Sequence, residues 1–343
     1  MLMKNLIRKS KIYLALKKIK RNLSEKLSLV SVFYYDFKRF KLHYTTNALN
    51  KDDQKSLESW LLQDKHRIEK ALSLPKPRYN FGEKVIERLI QNLNQYENNF
   101  CKNEVYYIAV GSIKAYVDFH KKNNVHILDT IQSHINRLNH EDFNNKICNT
   151  VGVVNYKKIE DTSDFFESFA LSRQSCRNYD MEKNISREQL EKIMKITAKT
   201  PSVCNRQHWK LHVFEGEVMG EILKLQNGNL GFNKNIPYLG VITSDLRSFY
   251  MPDERTQPFT DGGMFAMSFI YALHSIGASS CALNWCTSKE NNEKMYKVSG
   301  IEKNESIIML IAFGYAKSDS KNACSPRLNL DNFYSINEDS TIV

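Results

Sequence analysis

Residues 307–315 read IIMLIAFGY, a run without a single charge. A short, continuous apolar run of this length indicates a strand that is buried on both faces. Before it, residues 259–276 read FTDGGMFAMSFIYALHSI and end at Gly277, which is typical of a long, mostly apolar helix. A buried strand that follows a buried helix predicts a layered arrangement of helices and sheet.

Further helix and strand patterns surround this pair from residue 165 onward. We predict strands at Lys210–Glu215 and Tyr238–Thr243 and a helix at Lys289–Val298. Ser186 with Gln189 three residues later is typical of a capping box that opens another helix. Residues 165–343 are therefore predicted to form one domain of the α/β or α+β class.

The first half of the chain shows helical patterns without strands. Residues 52–138 carry two apolar faces at helical spacing, and residues 139–164 are rich in Asn, Asp and Lys, which favours a linker. We expect a basic amphipathic segment at 1–46, a helical N-terminal domain at 47–150 and a second domain at 165–343. The residues of the two apolar faces are Val85, Ile86, Leu89, Ile90, Leu93 and Tyr96, and Ile127, Leu128, Ile131, Ile135 and Leu138.

Positive charge is concentrated at the start of the chain. Residues 1–46 hold twelve Lys and Arg against two acids, a net +10 of the chain's +11. Apolar residues recur there at spacings of three and four, which predicts an amphipathic helix. Two interpretations stay open: the helix lies on an anionic membrane surface, or it docks on its own domain with a solvated lysine face. The apolar residues are Ile12, Leu16, Ile19, Leu23, Leu27 and Val30.

The remaining composition excludes several classes of function. Residues 47–343 are close to neutral and carry no zinc-finger or RNA-recognition motif, so we expect no nucleic-acid partner. The seven cysteines include no CxxC pair, which argues against a disulfide scaffold or a metal site and favours a reducing cytoplasm. No run of 18 apolar residues exists, so we expect no membrane-spanning helix.

Four short patterns in the second half could carry chemistry. Ser172–Arg177, SRQSCR, places two arginines around a serine hydroxyl, and guanidinium groups bind phosphate oxygens in pairs. Residues 201–209, PSVCNRQHW, lie between a predicted helix and strand, where loops often carry function. Small residues at 261–263 and 277–282 allow a close approach of the backbone to a flat ring. Arg327, in the sequence SPR, is a third candidate for phosphate.

Taken in order, these patterns resemble the nitroreductase family. SRQSCRNY, PSVCNRQHW, DGGMFAMSFIYALHSIGASSC and IAFGY followed by SPR carry the resemblance over about residues 165–335. It implies an α+β fold with a mixed sheet flanked by helices, and a homodimer with two FMN sites at the subunit interface. It also implies that FMN accepts electrons from NAD(P)H and passes them to a small-molecule acceptor, without a catalytic side chain.

The resemblance also assigns the cofactor-binding residues. Arg173, Ser175 and Arg177 fall where the family holds the phosphate and ribityl chain, with Gln174 between them, and Arg327 falls where a basic residue closes on the phosphate. Pro201, Ser202, Asn205 and Gln207 fall in the loop that touches the flavin ring. Ala282, Leu283 and Asn284 fall in the segment whose backbone faces the flavin centre. This chain departs from the family at His208, where proline is usual, and at Asn284, where glutamate often occurs.

A second resemblance concerns the N-terminal half. HRIEKALSL and FGEKVIERLIQNL are similar to the N-terminal extension of nitroreductase-like proteins found with polysaccharide-biosynthesis systems. We therefore carry two hypotheses of function. The first is a cytoplasmic FMN-dependent oxidoreductase, with a role in cell-surface polysaccharide biosynthesis and with residues 1–46 at the inner face of the membrane. The second is a flavin-binding or flavin-less scaffold at the membrane surface that does not turn over.

Overall fold

A computed structural model describes residues 11–45 and 52–336. The predicted segment at 1–46 and the end of the chain therefore lie partly outside the described residues. Within those described, none of the helices has the combination of length and apolar character that a bilayer-spanning segment needs.

In the parts of the N-terminal half that the structure describes, 11–45 and from 52 on, the regular elements are all helices, as the sequence predicts. The helices Gln54–Leu72 and Glu104–Lys122 both begin at side-chain caps. Asp53 accepts a hydrogen bond from Ser56 N, and Asn103 accepts one from Tyr106 N. The bounds are α1 Lys11–His43, α2 Gln54–Leu72, α3 Glu83–Asn99, α4 Glu104–Lys122 and α5 Asp129–Ile135.

One apolar cluster joins α2 to α5, and both predicted apolar faces contribute to it. Leu89 and Ile131 are fully buried, whereas Leu128 stays half exposed at the N-terminal boundary of α5. The buried carboxylate of Asp64 on α2 accepts two hydrogen bonds from Arg88 on α3, at 2.6 and 2.7 Å, which links the two helices. Charged hydrogen bonds of this kind satisfy a carboxylate that has left water.

Up to residue 336, the C-terminal half contains one sheet and five α-helices, with short 3-10 turns between them. The predicted strands and helices are present, and the capping box of Ser186 and Gln189 is complete. The helices Ser163–Ser172 and Gly216–Leu225 and the strand Ser279–Asn284 were not predicted. The bounds are α6 Ser163–Ser172, α7 Arg187–Thr197, β1 Trp209–Phe214, α8 Gly216–Leu225, β2 Tyr238–Asp245, α9 Gln257–Ser275, β3 Ser279–Asn284, α10 Lys289–Ser299 and β4 Glu305–Gly314.

The sheet has the order β1-β2-β4-β3, and each neighbouring pair is antiparallel. A short parallel pairing joins Ser175 to Ser280 at the β3 edge. The strand β4, predicted as buried, lies inside the sheet, and α9 packs across it. Gly262 on α9 permits this contact because a Cβ there would lie 2.8 Å from Ile308 on β4. The α+β class is confirmed, and the boundaries of the predicted domains stay a prediction.

The two halves touch through the end of α1, through α2 and through the loop after β2. The hydroxyl of Ser59 donates to Ser248 O at 2.9 Å, and Trp60 packs against Tyr250 with ring centroids 5.0 Å apart. Thr45 donates to Arg247 O at 2.6 Å. The N-terminal half thus lies directly behind the loop region of the C-terminal half.

Candidate functional site

The segment Ser172–Arg177 runs beside β3, the edge strand of the sheet. Cys176 N donates to Ser280 O at 3.0 Å, which forms the parallel pairing. The hydroxyl of Ser172 lies 2.7 Å from Nε2 of His274, near the end of α9. The backbone therefore fixes this segment to the sheet, and the arginine side chains are not needed for that attachment.

Both arginines of the segment lie near β3. Arg177 is exposed and Arg173 is half-buried. Burial raises the pKa of the Cys281 thiol, and the positive charges of Arg177 and Arg173 oppose that rise. A small cavity of about 70 Å³ is lined by Arg173, Gln174, Ser279 and Ser280 among others. Two guanidinium groups and several hydroxyls around one strand can bind an anion such as a phosphate.

The strand β3 presents small and polar side chains outward. Ala282 and Asn284 are exposed on one side, whereas Leu283 packs in the core on the other. Ser175 and Cys176 pair only with the start of the strand, and Asn284 O accepts a hydrogen bond from Gln226 at 3.1 Å. The outward edge of β3 is therefore the part of this strand where a flat ligand could approach the backbone.

The loop Pro201–Gln207 has an unusual backbone. Cys204, Asn205 and Gln207 all have φ near +50°, the left-handed region that residues other than glycine rarely adopt. Gln207 N donates to the hydroxyl of Ser202 at 2.9 Å, and Val203 N donates to Oδ2 of Asp261 at 2.8 Å. Backbone strain of this kind persists where surrounding contacts hold it.

Asp261, near the start of α9, is the main residue that holds the loop Pro201–Gln207 in place. Its buried carboxylate accepts hydrogen bonds from Val203 N, from His208 Nε2 at 2.7 Å and from Gln257 Nε2 at 2.7 Å. Burial acts to raise the pKa of Asp261, but these hydrogen bonds lower it below its usual value. The ionised carboxylate thus binds the loop to the helix.

The contacts of His208 give a structural reason for histidine, and not proline, at this position. Its ring lies between Asp261 and the hydroxyl of Ser244, which is 2.8 Å from Nδ1, and all three side chains are buried. The order Ser, His, Asp matches that of a hydrolase triad. Because Ser244 is fully buried on β2, its oxygen cannot reach a substrate, and the chain of hydrogen bonds holds the loop instead.

Arg206 serves the same loop from the other side. Its buried guanidinium pairs with Glu254 and donates to Ser248 O, and Glu254 accepts a further hydrogen bond from Tyr250 N at 2.9 Å. Burial acts to lower the pKa of Arg206, but the hydrogen bonds and charges of Glu254 and Cys204 together raise it above its usual value. Four residues that hold this loop were not predicted from the sequence to do so: Arg206, His208, Ser244 and Glu254. The histidine in place of proline was the available signal.

The predicted residues thus fall into separate groups within one chain. Ser172–Arg177 and Ala282–Asn284 meet at the β3 edge, whereas Pro201–Gln207 leads into β1 at the opposite edge. Three strand spacings, roughly 14 Å, separate these edges. Arg327 lies in an exposed tail, and the hydrogen bond that it makes there is to Ser325 O in its own segment. Asn322, in the same tail, lines the small cavity beside Arg173. Among the hydrogen bonds of the described residues, none joins Arg327 to the segment Ser172–Arg177.

A larger cavity, about 720 Å³, lies between α2 and α4 of the N-terminal half and β1 of the C-terminal half. Gln207 is one of its lining residues. Lys55 pairs with Glu58 at 2.7 Å, and His212 lies 2.6 Å from Glu305. These charged side chains of the cavity thus pair with each other, and their arrangement does not indicate a particular ligand.

These features define an α+β domain whose edge strand is bordered by two arginines. The sequence model described as "Nitroreductase family" matches residues 170–233. The chain is 23% identical over 179 residues to the putative NAD(P)H nitroreductase YodC of Bacillus subtilis (strain 168), a match that covers 42% of this chain and 86% of that protein.

Solved structures with a similar course of the chain include two further bacterial proteins. An FMN-dependent nitroreductase from Clostridium difficile R20291 is 20% identical with a TM-score of 0.42, over 50% of this chain and 98% of that one. A putative NAD(P)H:FMN oxidoreductase from Staphylococcus epidermidis ATCC 12228 is 20% identical with a TM-score of 0.42, over 54% and 100%. Because both scores are below 0.5, the resemblance to the family rests on the similarity of sequence.

The predicted resemblance of the C-terminal half to the nitroreductase family is confirmed by the family model over residues 170–233 and by the similarity to a putative nitroreductase over 179 residues.

Proposed function

We propose that the C-terminal half binds FMN and that the protein transfers electrons from NAD(P)H to a small-molecule acceptor. The observation that carries the proposal is the pair Arg173 and Arg177 at the edge of β3, beside Ser175 and Ser280. This set of donors fits a phosphate monoester. The names of the Clostridium difficile and Staphylococcus epidermidis proteins, which include FMN, support the same cofactor.

In this proposal the side chains bind and position, and none takes part as a nucleophile. When bound, FMN supplies the hydride and electron transfer. Arg173, Ser175 and Arg177 hold the phosphate end, with Gln174 beside them. The outward edge of Ala282, Leu283 and Asn284 lies against the ring and offers backbone groups for hydrogen bonds.

The loop Pro201–Gln207 can reach the same flavin site only if a second chain supplies it. We propose a homodimer in which Pro201, Ser202, Asn205 and Gln207 of one protomer approach the β3 edge of its partner. Exposed apolar side chains on α6 and α9 support this, since large apolar patches commonly mark protein interfaces. They are Phe165, Phe166, Leu171, Phe259, Met264 and Met267.

The exposed tail that carries Arg327 has further apolar residues, which include Leu328, Leu330 and Phe333. We propose that this tail crosses to the partner protomer and brings Arg327 to the phosphate there. The role in cell-surface polysaccharide biosynthesis is also a proposal, and it depends on the resemblance of the N-terminal half alone.

Absorption spectra of the purified chain, with and without NAD(P)H, test the flavin proposal. We expect a yellow protein that bleaches with the reductant. A colourless protein that does not take up added FMN would contradict the proposal and favour the scaffold hypothesis.

Arg177→Ala should weaken FMN binding by about 1.5–3 kcal/mol, because a charged hydrogen bond to the phosphate is lost. A fluorescence titration of the apoprotein with FMN measures this. Arg187→Ala is the matched control, since Arg187 is exposed on α7 and pairs only with Glu191, at 3.3 Å, among its described contacts. Equal affinities of the two variants would remove Arg177 from the site.

A further inference from the structure

The first helix extends away from the body of the protein. Every residue from Tyr13 to Tyr34 is exposed, which is 22 successive positions of α1. At a rise of 1.5 Å per residue this stretch is roughly 33 Å long. The interpretation in which the apolar stripe docks on its own domain is therefore wrong for this part of the helix.

Tyr35, the residue after this stretch, contacts the body of the protein. Its hydroxyl donates to Glu293 on α10 at 2.8 Å. One turn later, Arg39 donates to the hydroxyl of Tyr296 and to Glu305 O, and Phe40 packs near Phe249. The last turns of α1 are thus anchored on the C-terminal half, and the preceding turns project from that anchor.

The projecting stretch has an uncovered apolar stripe. Leu16, Ile19, Leu23, Leu27 and Val30 recur at spacings of three and four, and each is between 58% and 66% exposed. In proteins, the stability of a helix comes mostly from the packing of such a face, and isolated helices are marginal in water. A surface that covers the stripe is therefore expected.

The charges on the same stretch indicate which surface that is. Residues 13–34 carry five Lys and Arg and one acid, Glu25, which already pairs with Arg21 at 3.5 Å. A second copy of the helix would bring a second excess of positive charge against the first, without acids to pair with it. An anionic lipid surface complements both the charge and the apolar stripe.

We propose that α1 docks the protein on an anionic membrane surface. Leu16, Ile19, Leu23, Leu27 and Val30 enter the boundary between headgroups and acyl chains. Lys20 and Lys26, on the two flanks of the stripe, face the lipid phosphates. The anchor at Tyr35 and Arg39 then holds the C-terminal half next to the membrane.

Vesicle co-sedimentation of the full chain tests this docking. The vesicles contain phosphatidylcholine and phosphatidylglycerol in a three to one ratio, and vesicles of phosphatidylcholine alone are the reference. The double variant Leu23→Gln, Leu27→Gln removes two apolar side chains from the stripe and changes no charge. We expect it to lower partitioning into the anionic vesicles by about 100-fold, because each buried leucine contributes about 1.5 kcal/mol or more.

The matched control is Leu14→Gln, Leu29→Gln. These leucines have similar exposure, 54% and 59%, but lie on other faces of α1. The control should partition within about threefold of the unchanged protein, as expected for leucines that stay in water. Equal losses in both double variants, or equal binding to both kinds of vesicle, would overturn the proposal. A lack of vesicle binding, together with a dimer in sedimentation equilibrium that Leu23→Gln, Leu27→Gln dissociates, would overturn it in favour of a second copy.

Discussion

Two segments that the sequence predicts for one site are held in contrasting ways. Ser172–Arg177 is attached by a backbone hydrogen bond to β3, and its arginines stay outside the core. Pro201–Gln207 is attached by side chains, with Asp261 buried at the centre, and its backbone is strained. The first segment should therefore tolerate changes of side chain, whereas the second should depend on a few residues far from it in sequence.

The largest effect is expected from Asp261→Ala. The substitution removes a buried acceptor of three hydrogen bonds and leaves His208, Gln257 and Val203 N without it. Loss of one partner from a buried charged network costs about 3–5 kcal/mol of the free energy of unfolding. Urea denaturation measures the change.

Asp253→Ala is the control for this substitution. Asp253 is an exposed acid eight positions earlier in the chain, and its loss should change the free energy of unfolding by less than about 0.5 kcal/mol. If both variants lose the same stability, Asp261 is not the centre of the loop's attachment, and the contrast between the two segments fails.

The sequence predicted those helices and strands whose burial leaves an apolar pattern in nearby residues. Apolar runs and apolar periodicity located α9, β1, β2 and β4, because burial imposes such patterns along the chain. The strand β3 was missed because Ser279–Asn284, SSCALN, has weak strand propensity and is extended by pairing with β4. Gly216 and Gly220 weakened the helical signal of α8 in the same way.

In the candidate site as well, the sequence located some residues but not the contacts that hold them. The family motifs located Arg173, Arg177 and the loop at 201–207, but the attachment of that loop joins His208 to Asp261 and Ser244. These residues are far apart in sequence, and no periodicity relates them. The contacts of His208 with Asp261 and Ser244 are visible only in the folded chain.

Protonation of Asp261 should give a smaller loss than its removal. The pKa of Asp261 is lower in the folded protein than its ordinary value of 3.8. A lowered pKa gives stability that is fully present above the unfolded value and is lost as the pH falls through the folded value. The difference in free energy of unfolding between the unchanged protein and Asp261→Asn should therefore shrink as the pH falls below about 4.

Urea denaturation of both proteins between pH 5 and the lowest pH with two-state unfolding measures this difference. Asn keeps one acceptor oxygen but cannot ionise, so effects of the other carboxylates cancel in the comparison. A difference that stays constant over this range, or that grows as the pH falls, would show that the ionised form of Asp261 gives no stability.

The smallest effect concerns the strain in the loop itself. Gln207 is exposed and has φ of 51°, where a side chain with a branched Cβ costs about 1–2 kcal/mol and glycine has no penalty. The free energy of unfolding of Gln207→Gly should therefore exceed that of Gln207→Val by about 1–2 kcal/mol. At Lys199, an exposed residue outside the positive-φ set, the same two substitutions should differ by less, because valine meets no left-handed backbone there. Equal differences at the two positions would mean that the loop relaxes around Gln207. In that case the loop Pro201–Gln207 would be flexible although Asp261 and His208 attach it to the fold.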